Sequence, residues 1–234
     1  MPTLSQPPEP LVAADAAVTE AVLRAIAYTP TEHLHALVHP RFVDRLTDRD
    51  FMRVGTYLAR KSFDEGGCPI GGVIVGHTAD LHDEDPLRRQ LAGARRYIAG
   101  KGHNTLGQQN DPTTHGETAA LRDAGRFAQF RGRGAVDFRP MWMYTTLTPC
   151  PVCCAQICHR ANFARVIIGD ATNAPSTAAL LKQPNAEQNR GEVGEVVILK
   201  DDDAVALYAH YAGRRRRLHL LDWGGHRTLD AHGG

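Results

Sequence analysis

A histidine and a glutamate stand two positions apart in His115-Gly116-Glu117, and two cysteines stand three apart in Pro149-Cys150-Pro151-Val152-Cys153. These residue types can hold a transition metal and move protons beside it. Cysteines at i and i+3 in a first helical turn lie on one face, so both sulfurs can reach one ion. A helix N-terminus also favours thiolate, the form that binds metal. Two thiolates and one neutral imidazole give Zn²⁺ three protein ligands and no net charge. The fourth position stays open for water, as in a catalytic rather than a structural zinc site. Bound zinc lowers the pKa of such a water from about 15.7 to roughly 7, which supplies hydroxide at neutral pH. Glu117 is not needed as a ligand. It lies beside the metal because His115 is one, so it can take the water's proton and pass it on. Cys154 is turned about 100° from Cys153 on a helix, and a fourth thiolate would close the site. Cys154, Cys158 and Cys68 are therefore assigned to packing.

The elements that must position these residues can be read around them. From Asp48 a helix is expected, with an acidic, cap-like start, apolar Phe51, Val54 and Leu58 at helical spacing, and Gly66-Gly67 as its end. "CPIGGVIVG" (68–76) reads as a short buried strand and "RRYIAGKGHN" (95–104) as the next. The charged residues 77–94 between them far exceed a tight hairpin loop, and are either an active-site lid or a surface elaboration. A helix is predicted over 115–129, then a strand at "MWMYTTLT" (141–148) and a helix at "PCPVCCAQICHRAN", with prolines tolerated at its beginning. "ARVIIGD" (164–170) and "EVVILK" (195–200) are further strands, separated by the helix-like "PSTAALLKQ". The C-terminal "DDDAVALYAHYAGRRRR" carries acids at its front and arginines at its end, in accord with the helix dipole. Five strands interleaved with helices point to a layered α/β domain over 48–234. Residues 1–47 form an N-terminal extension, Pro-rich and disordered in its first ten residues and then partly helical, which reads as a packing or oligomerisation arm.

Composition narrows the class. The chain has 234 residues, 42% hydrophobic and 23% charged, the balance of a soluble globular protein. A net charge of +1 gives no overall field to collect nucleic acid or an anionic membrane. The N-terminus lacks the basic and apolar regions of a signal peptide, and no apolar run approaches a membrane span. Five cysteines, four of them within nine residues, make a poor disulfide framework and fit a reduced, cytoplasmic setting. The arginines at 214–217 and "RGRG" at 131–134 lack the interleaved aromatics of a single-strand binding groove.

H-x-E followed by P-C-x-x-C is the pattern of zinc nucleobase deaminases. At these residues, and through "CPIGGVIV", "GKGHN", "HGETAALRDAGR", "MYTTLTPCPVC" and "VIIGD", the chain resembles the cytidine/deoxycytidylate deaminase superfamily from about Asp48 to its end. The glycine of HGE, "DAGR" and "YTTLTPC" resemble fungal-type cytosine deaminases. "NDPTTHGE" is closer to guanine and tRNA adenosine deaminases. The resemblance implies a three-layer α/β/α sandwich around a five-stranded mixed sheet, with strands four and five parallel because a helix crosses between them. It also implies a homo-oligomer, most simply a homodimer, with a role in nucleobase metabolism such as pyrimidine salvage. The substrate implied is a small amino-heterocycle, cytosine first, with water as co-substrate and Zn²⁺ as cofactor, one per chain. By the same resemblance Asn104 bonds the base's carbonyl and ring edge, assisted by the Gly116 N–H. The Thr148 carbonyl and Cys150 N–H face the amino group and nascent oxyanion. Asp222 and Trp223 match a C-terminal segment that closes over the base, but His226 stands where fungal-type enzymes carry an acid, and Ala174 lies near the place of an aromatic pocket wall.

Overall fold

The computed structural model describes residues 10–91, 93–130, 136–173, 175–182 and 193–218. Asp222, Trp223, His226 and Ala174 lie outside the described residues, as does the "RGRG" loop.

Helix α4 (Asp48–Asp64) follows three short N-terminal helices: α1 (Glu20–Tyr28), α2 (Thr31–Leu37) and α3 (Pro40–Val43). It opens on a reciprocal cap, the Thr47 side chain accepting the Asp50 N–H and the Asp50 carboxylate accepting the Thr47 N–H. Gly66, at φ 88°, takes the left-handed conformation that ends the turn. Strand β1 (Gly71–His77) then packs directly under α4. A Cβ on Gly71 would lie 2.1 Å from the Gly55 carbonyl oxygen, so helix and strand meet where only glycine fits.

The remaining strands are β2 (Arg96–His103), β3 (Trp142–Thr145), β4 (Arg165–Ile168) and β5 (Glu195–Ile198), in the order β2-β1-β3-β4-β5. β1 pairs antiparallel with β2 and β3, whereas β3–β4 and β4–β5 are parallel. The parallel β4–β5 pairing follows from the crossover through a short helix at Pro175–Leu180, as the sequence requires.

Strand alternation divides the core into two layers. Val73, Val75, Ile98, Tyr144 and Ile167 face α4 and the N-terminal helices, whose Leu23, Ile26, Leu34 and Phe42 extend the same cluster. Ile74, Tyr97, Met143, Val166 and Ile168 face the opposite layer. That layer is built by α7 (Gly116–Phe130), which follows the one-turn α6 (Leu106–Gln109), and by α8 (Pro151–Gln156). Residues 11–47 thus share one hydrophobic cluster with the sheet.

The stretch between β1 and β2 is explained by its attachment. It leaves β1 at His77 and enters β2 at Arg96, while the other end of that hairpin pairs Gly71 with His103. Its helix α5 (Pro86–Gln90) and the residue after it bury Leu87 and Leu91 in the α7-side core. Seven strand residues at about 3.3 Å each separate it from the sheet edge that carries His115 and Cys150. It packs into the core at the end of β1 remote from those residues.

Strands β3 and β4 are shorter than the sequence pattern suggests. β3 ends at Thr145, where a strand to 148 is expected, because Thr146–Pro149 leave the sheet as a loop leading into α8. The helix expected to run on through Asn162 is α8 followed by a π-helical turn, Ile157–Ala161.

Candidate active site

α7 and α8 begin side by side above the same sheet edge. Gly116 opens α7 against the Ile70 carbonyl, where a Cβ would come within 2.8 Å of that oxygen. The glycine lets His115 and Glu117 sit close to the strand. Pro151 occupies the first position of α8, where its missing N–H costs nothing. Cys150 is the N-cap of this helix rather than a residue of its first turn, and its sulfur accepts the Cys153 N–H at 3.5 Å. The cap geometry still turns both sulfurs toward His115.

His115 Nδ1 lies 3.5 Å from Cys150 Sγ and 3.5 Å from Cys153 Sγ. Tetrahedral zinc with Zn–N near 2.05 Å and Zn–S near 2.3 Å requires an N···S edge of about 3.5 Å. The donor set therefore fits the ion in both chemistry and spacing. Among the described residues, these three are the His/Cys/Asp/Glu group able to hold a metal, their ligand atoms all within 4.8 Å of one another. Cys154 Sγ turns away, 3.4 Å from the Pro149 carbonyl, and Cys158 approaches the carbonyls of Leu180 and Leu181. Cys68 packs with Ile70, Leu147, Tyr208 and Tyr211.

The hydrogen bond from Cys153, with His115 adding to it, lowers the Cys150 thiol to about 4. The same bond and burial push the Cys153 thiol up. A divalent cation would take both as thiolates. Glu117 is 2% exposed, and burial raises its pKa against the opposing pull of its own backbone N–H and of His115. One carboxylate oxygen, Oε2, lies 3.4 Å from Cys153 Sγ, and the other, Oε1, accepts the Thr145 hydroxyl at 3.2 Å. The carboxylate thus lies beside the ligands without being one of them.

The neighbouring loops are braced by backbone carbonyls. Asn104 N–H donates to Ile70 O at 2.9 Å, the carbonyl that Gly116 also flanks, so Asn104 and Gly116 meet at one point. Asn104 Oδ1 accepts the Leu106 N–H at 3.1 Å, which leaves its amide NH₂ as the donor for a ligand. Ser62 Oγ lies 2.6 Å from the Asn104 carbonyl and holds that turn from α4. Thr148 donates its N–H and its hydroxyl to Asp170 O at 2.8 and 3.1 Å, fixing the peptide ahead of Pro149. The Asp170 carboxylate is buried and takes the Thr172 N–H and hydroxyl and the Asn173 amide. Ser62 lies in no motif, and Thr145 and Asp170, although within "YTTLTPC" and "VIIGD", are given no role by the sequence. For Thr145 a signal exists: two residues after core-facing Met143, it falls on the α7 face by strand alternation. A separate cleft of about 690 Å³, lined by Arg24, Arg53, Tyr57, Arg60, Phe63 and His210 among others, lies on the other face of the sheet, along α4.

Comparison with known proteins agrees with this geometry. The sequence model for the cytidine and deoxycytidylate deaminase zinc-binding region matches residues 91–170, which include His115, Glu117, Cys150 and Cys153. A cytosine deaminase of Candida albicans is 29% identical over 164 residues, spanning 70% of this chain and 88% of that protein. Over residues 91–170 the chain thus carries a region like the zinc-binding region of the cytidine and deoxycytidylate deaminase superfamily. A tRNA-specific adenosine deaminase of Buchnera aphidicola is also 29% identical, over 53% of this chain and 61% of its own length. The guanine deaminase from Nitrosomonas europaea shares the fold, with a TM-score of 0.50 at 14% identity over 71% of this chain and 85% of that one. Zinc is the metal of this superfamily's binding region, and His115, Cys150 and Cys153 are its candidate ligands here. No described helix is long and apolar enough to cross a membrane.

Proposed function

We propose that this deaminase hydrolyses the exocyclic amino group of a free nucleobase or similar amino-heterocycle, cytosine first, to a carbonyl with release of ammonia. The observation that carries the reading is the buried Glu117 carboxylate, 3.4 Å from one of three convergent metal-ligand side chains. A structural metal site has no use for such a group, and the hydrolytic reaction has use for it twice. Zinc, when held by His115 Nδ1 and the two sulfurs, supplies the Lewis acidity that makes water a nucleophile at neutral pH. Glu117 Oε2 accepts the proton that nucleophile gives up and passes it to a ring nitrogen of the base. It then protonates the departing amine. Asn104, held as a donor by the Leu106 N–H, binds a carbonyl oxygen of the base. The Gly116 N–H, the Thr148 carbonyl and the Cys150 N–H flank the reacting carbon.

The preference for cytosine rests on the Candida albicans relative, whose similarity spans 88% of that protein. Guanine and tRNA adenosine are the second reading, favoured by the Buchnera aphidicola relative and by the "NDPTTHGE" segment. Asp222, Trp223 and His226, candidates for base contact by the resemblance alone, lie outside the described residues. An ammonia-release screen over cytosine, 5-substituted cytosines, guanine, adenine and their nucleosides tests the reading. Turnover of free cytosine is expected; turnover of nucleosides or tRNA alone would overturn it.

A further inference from the structure

Thr145 lies at the end of β3, 0% exposed, on the face of the sheet that carries α7. Its hydroxyl stands 3.2 Å from Glu117 Oε1 and 2.9 Å from the Leu147 carbonyl oxygen. A threonine hydroxyl has one proton to donate, so the two acceptors compete for it. Both belong to the machinery described above. One is the proton carrier, and the other begins the Leu147-Thr148-Pro149-Cys150 segment that faces the reacting carbon.

The other oxygen of Glu117 has a different neighbour, Cys153 Sγ at 3.4 Å. The two carboxylate oxygens are thus distinguished by geometry, Oε1 held by the Thr145 hydroxyl and Oε2 turned toward the metal-ligand side chains.

Resting on the reading of Glu117 as the proton carrier, we propose that Thr145 is a positioning residue for it. Anchored at the end of β3 and within 2.9 Å of the Leu147 carbonyl, its hydroxyl stands 3.2 Å from Oε1 and holds the carboxylate so that Oε2 faces the metal-ligand side chains.

The test compares Thr145→Val, which keeps the shape and removes the donor, with Thr145→Ser, which keeps the donor. Zinc content, kcat and KM are measured on the amino-heterocycle that the wild-type protein releases ammonia from fastest among cytosine, guanine and adenine. The expected result is a kcat about tenfold or more lower in Thr145→Val, the scale of one hydrogen bond to a charged group. KM should stay within about threefold, zinc should stay stoichiometric, and Thr145→Ser should recover most of the rate. In a Glu117→Ala background, Thr145→Val should have no further effect, since its action runs through that carboxylate. Should the valine variant not fold, Thr145→Ala takes its place in the same comparison. Wild-type kcat in the donor-free variant overturns the proposal, as does equal loss in the valine and serine variants or loss of zinc. Full activity in Glu117→Ala alone would instead overturn the underlying reading of the proton carrier.

Discussion

Lys101 sits in β2 with only 8% of its surface exposed, its ammonium donating to the Thr29 carbonyl at the end of α1. Burial lowers its pKa from 10.5 to about 8, against the favourable charges of Asp123 and Glu32. Below pH 8 the residue is protonated in both the folded and unfolded states, and the folded state bears the cost of burying the charge. Between pH 8 and 10.5 the folded state has released the proton and the unfolded chain still binds it, so stability rises with pH across that window. A tenfold change in an acidity constant corresponds to about 1.4 kcal/mol. By pH 10 the wild-type chain should therefore have gained about 2.5 kcal/mol relative to a variant with no ionisable group at 101. Lys101→Met supplies that reference while keeping the aliphatic stem. For a chain of this length, the gain is a change of about 5–10 °C in the difference between the two melting temperatures. Other groups titrate in the same range. The buried Cys154 thiol, raised to about 12, acts in the opposite sense above pH 9. Taking the difference between wild type and variant cancels them. Thermal unfolding followed by circular dichroism from pH 7 to 10 measures it. Melting temperatures that run parallel across this range would refute the argument that Lys101 is buried as a charge.

Four further outcomes are expected. His115→Ala should lower bound zinc from about one per chain to a small fraction, measured by atomic absorption after gel filtration, since two cysteines alone leave the ion half-ligated. Chelation of the wild-type protein should abolish ammonia release and lower the melting temperature, and added zinc should restore both. Gly71→Ala should cost several kcal/mol in denaturant unfolding or prevent folding, because its Cβ would meet the Gly55 carbonyl at 2.1 Å. Asp48→Ala should cost about 2 kcal/mol in the same measurement, since Asp48 accepts the Tyr144 hydroxyl at 2.7 Å and pairs with Arg165 at 2.9 Å.

The candidate site was legible in the sequence because its chemistry is local in type, though distant in number. Glu117 alone is an ordinary first-turn residue, but with His115, Cys150 and Cys153 beside it a single ion accounts for the set. The strand count and the parallel β4–β5 pairing followed from alternation and from the crossover helix. What escaped was set by tertiary contact. Thr146–Pro149 carry residues as suited to a strand as those before them, and they leave the ladder only because they must reach α8. The charged stretch after β1 hides two core leucines, Leu87 and Leu91, whose burial depends on a surface contributed by α7. The N-terminal helices offer no motif, and their Leu23, Ile26 and Phe42 find the sheet through shape alone. Thr145 is one of several threonines in its stretch of chain, and its partner lies on another element.

The central claim is that Glu117 moves protons beside a zinc it does not hold. Zinc content and ammonia release measured on the same preparation of Glu117→Gln test it most directly. About one zinc per chain should remain, with kcat reduced at least about a hundredfold, the scale of general acid–base catalysis. Turnover at the wild-type rate with zinc in place would contradict the account.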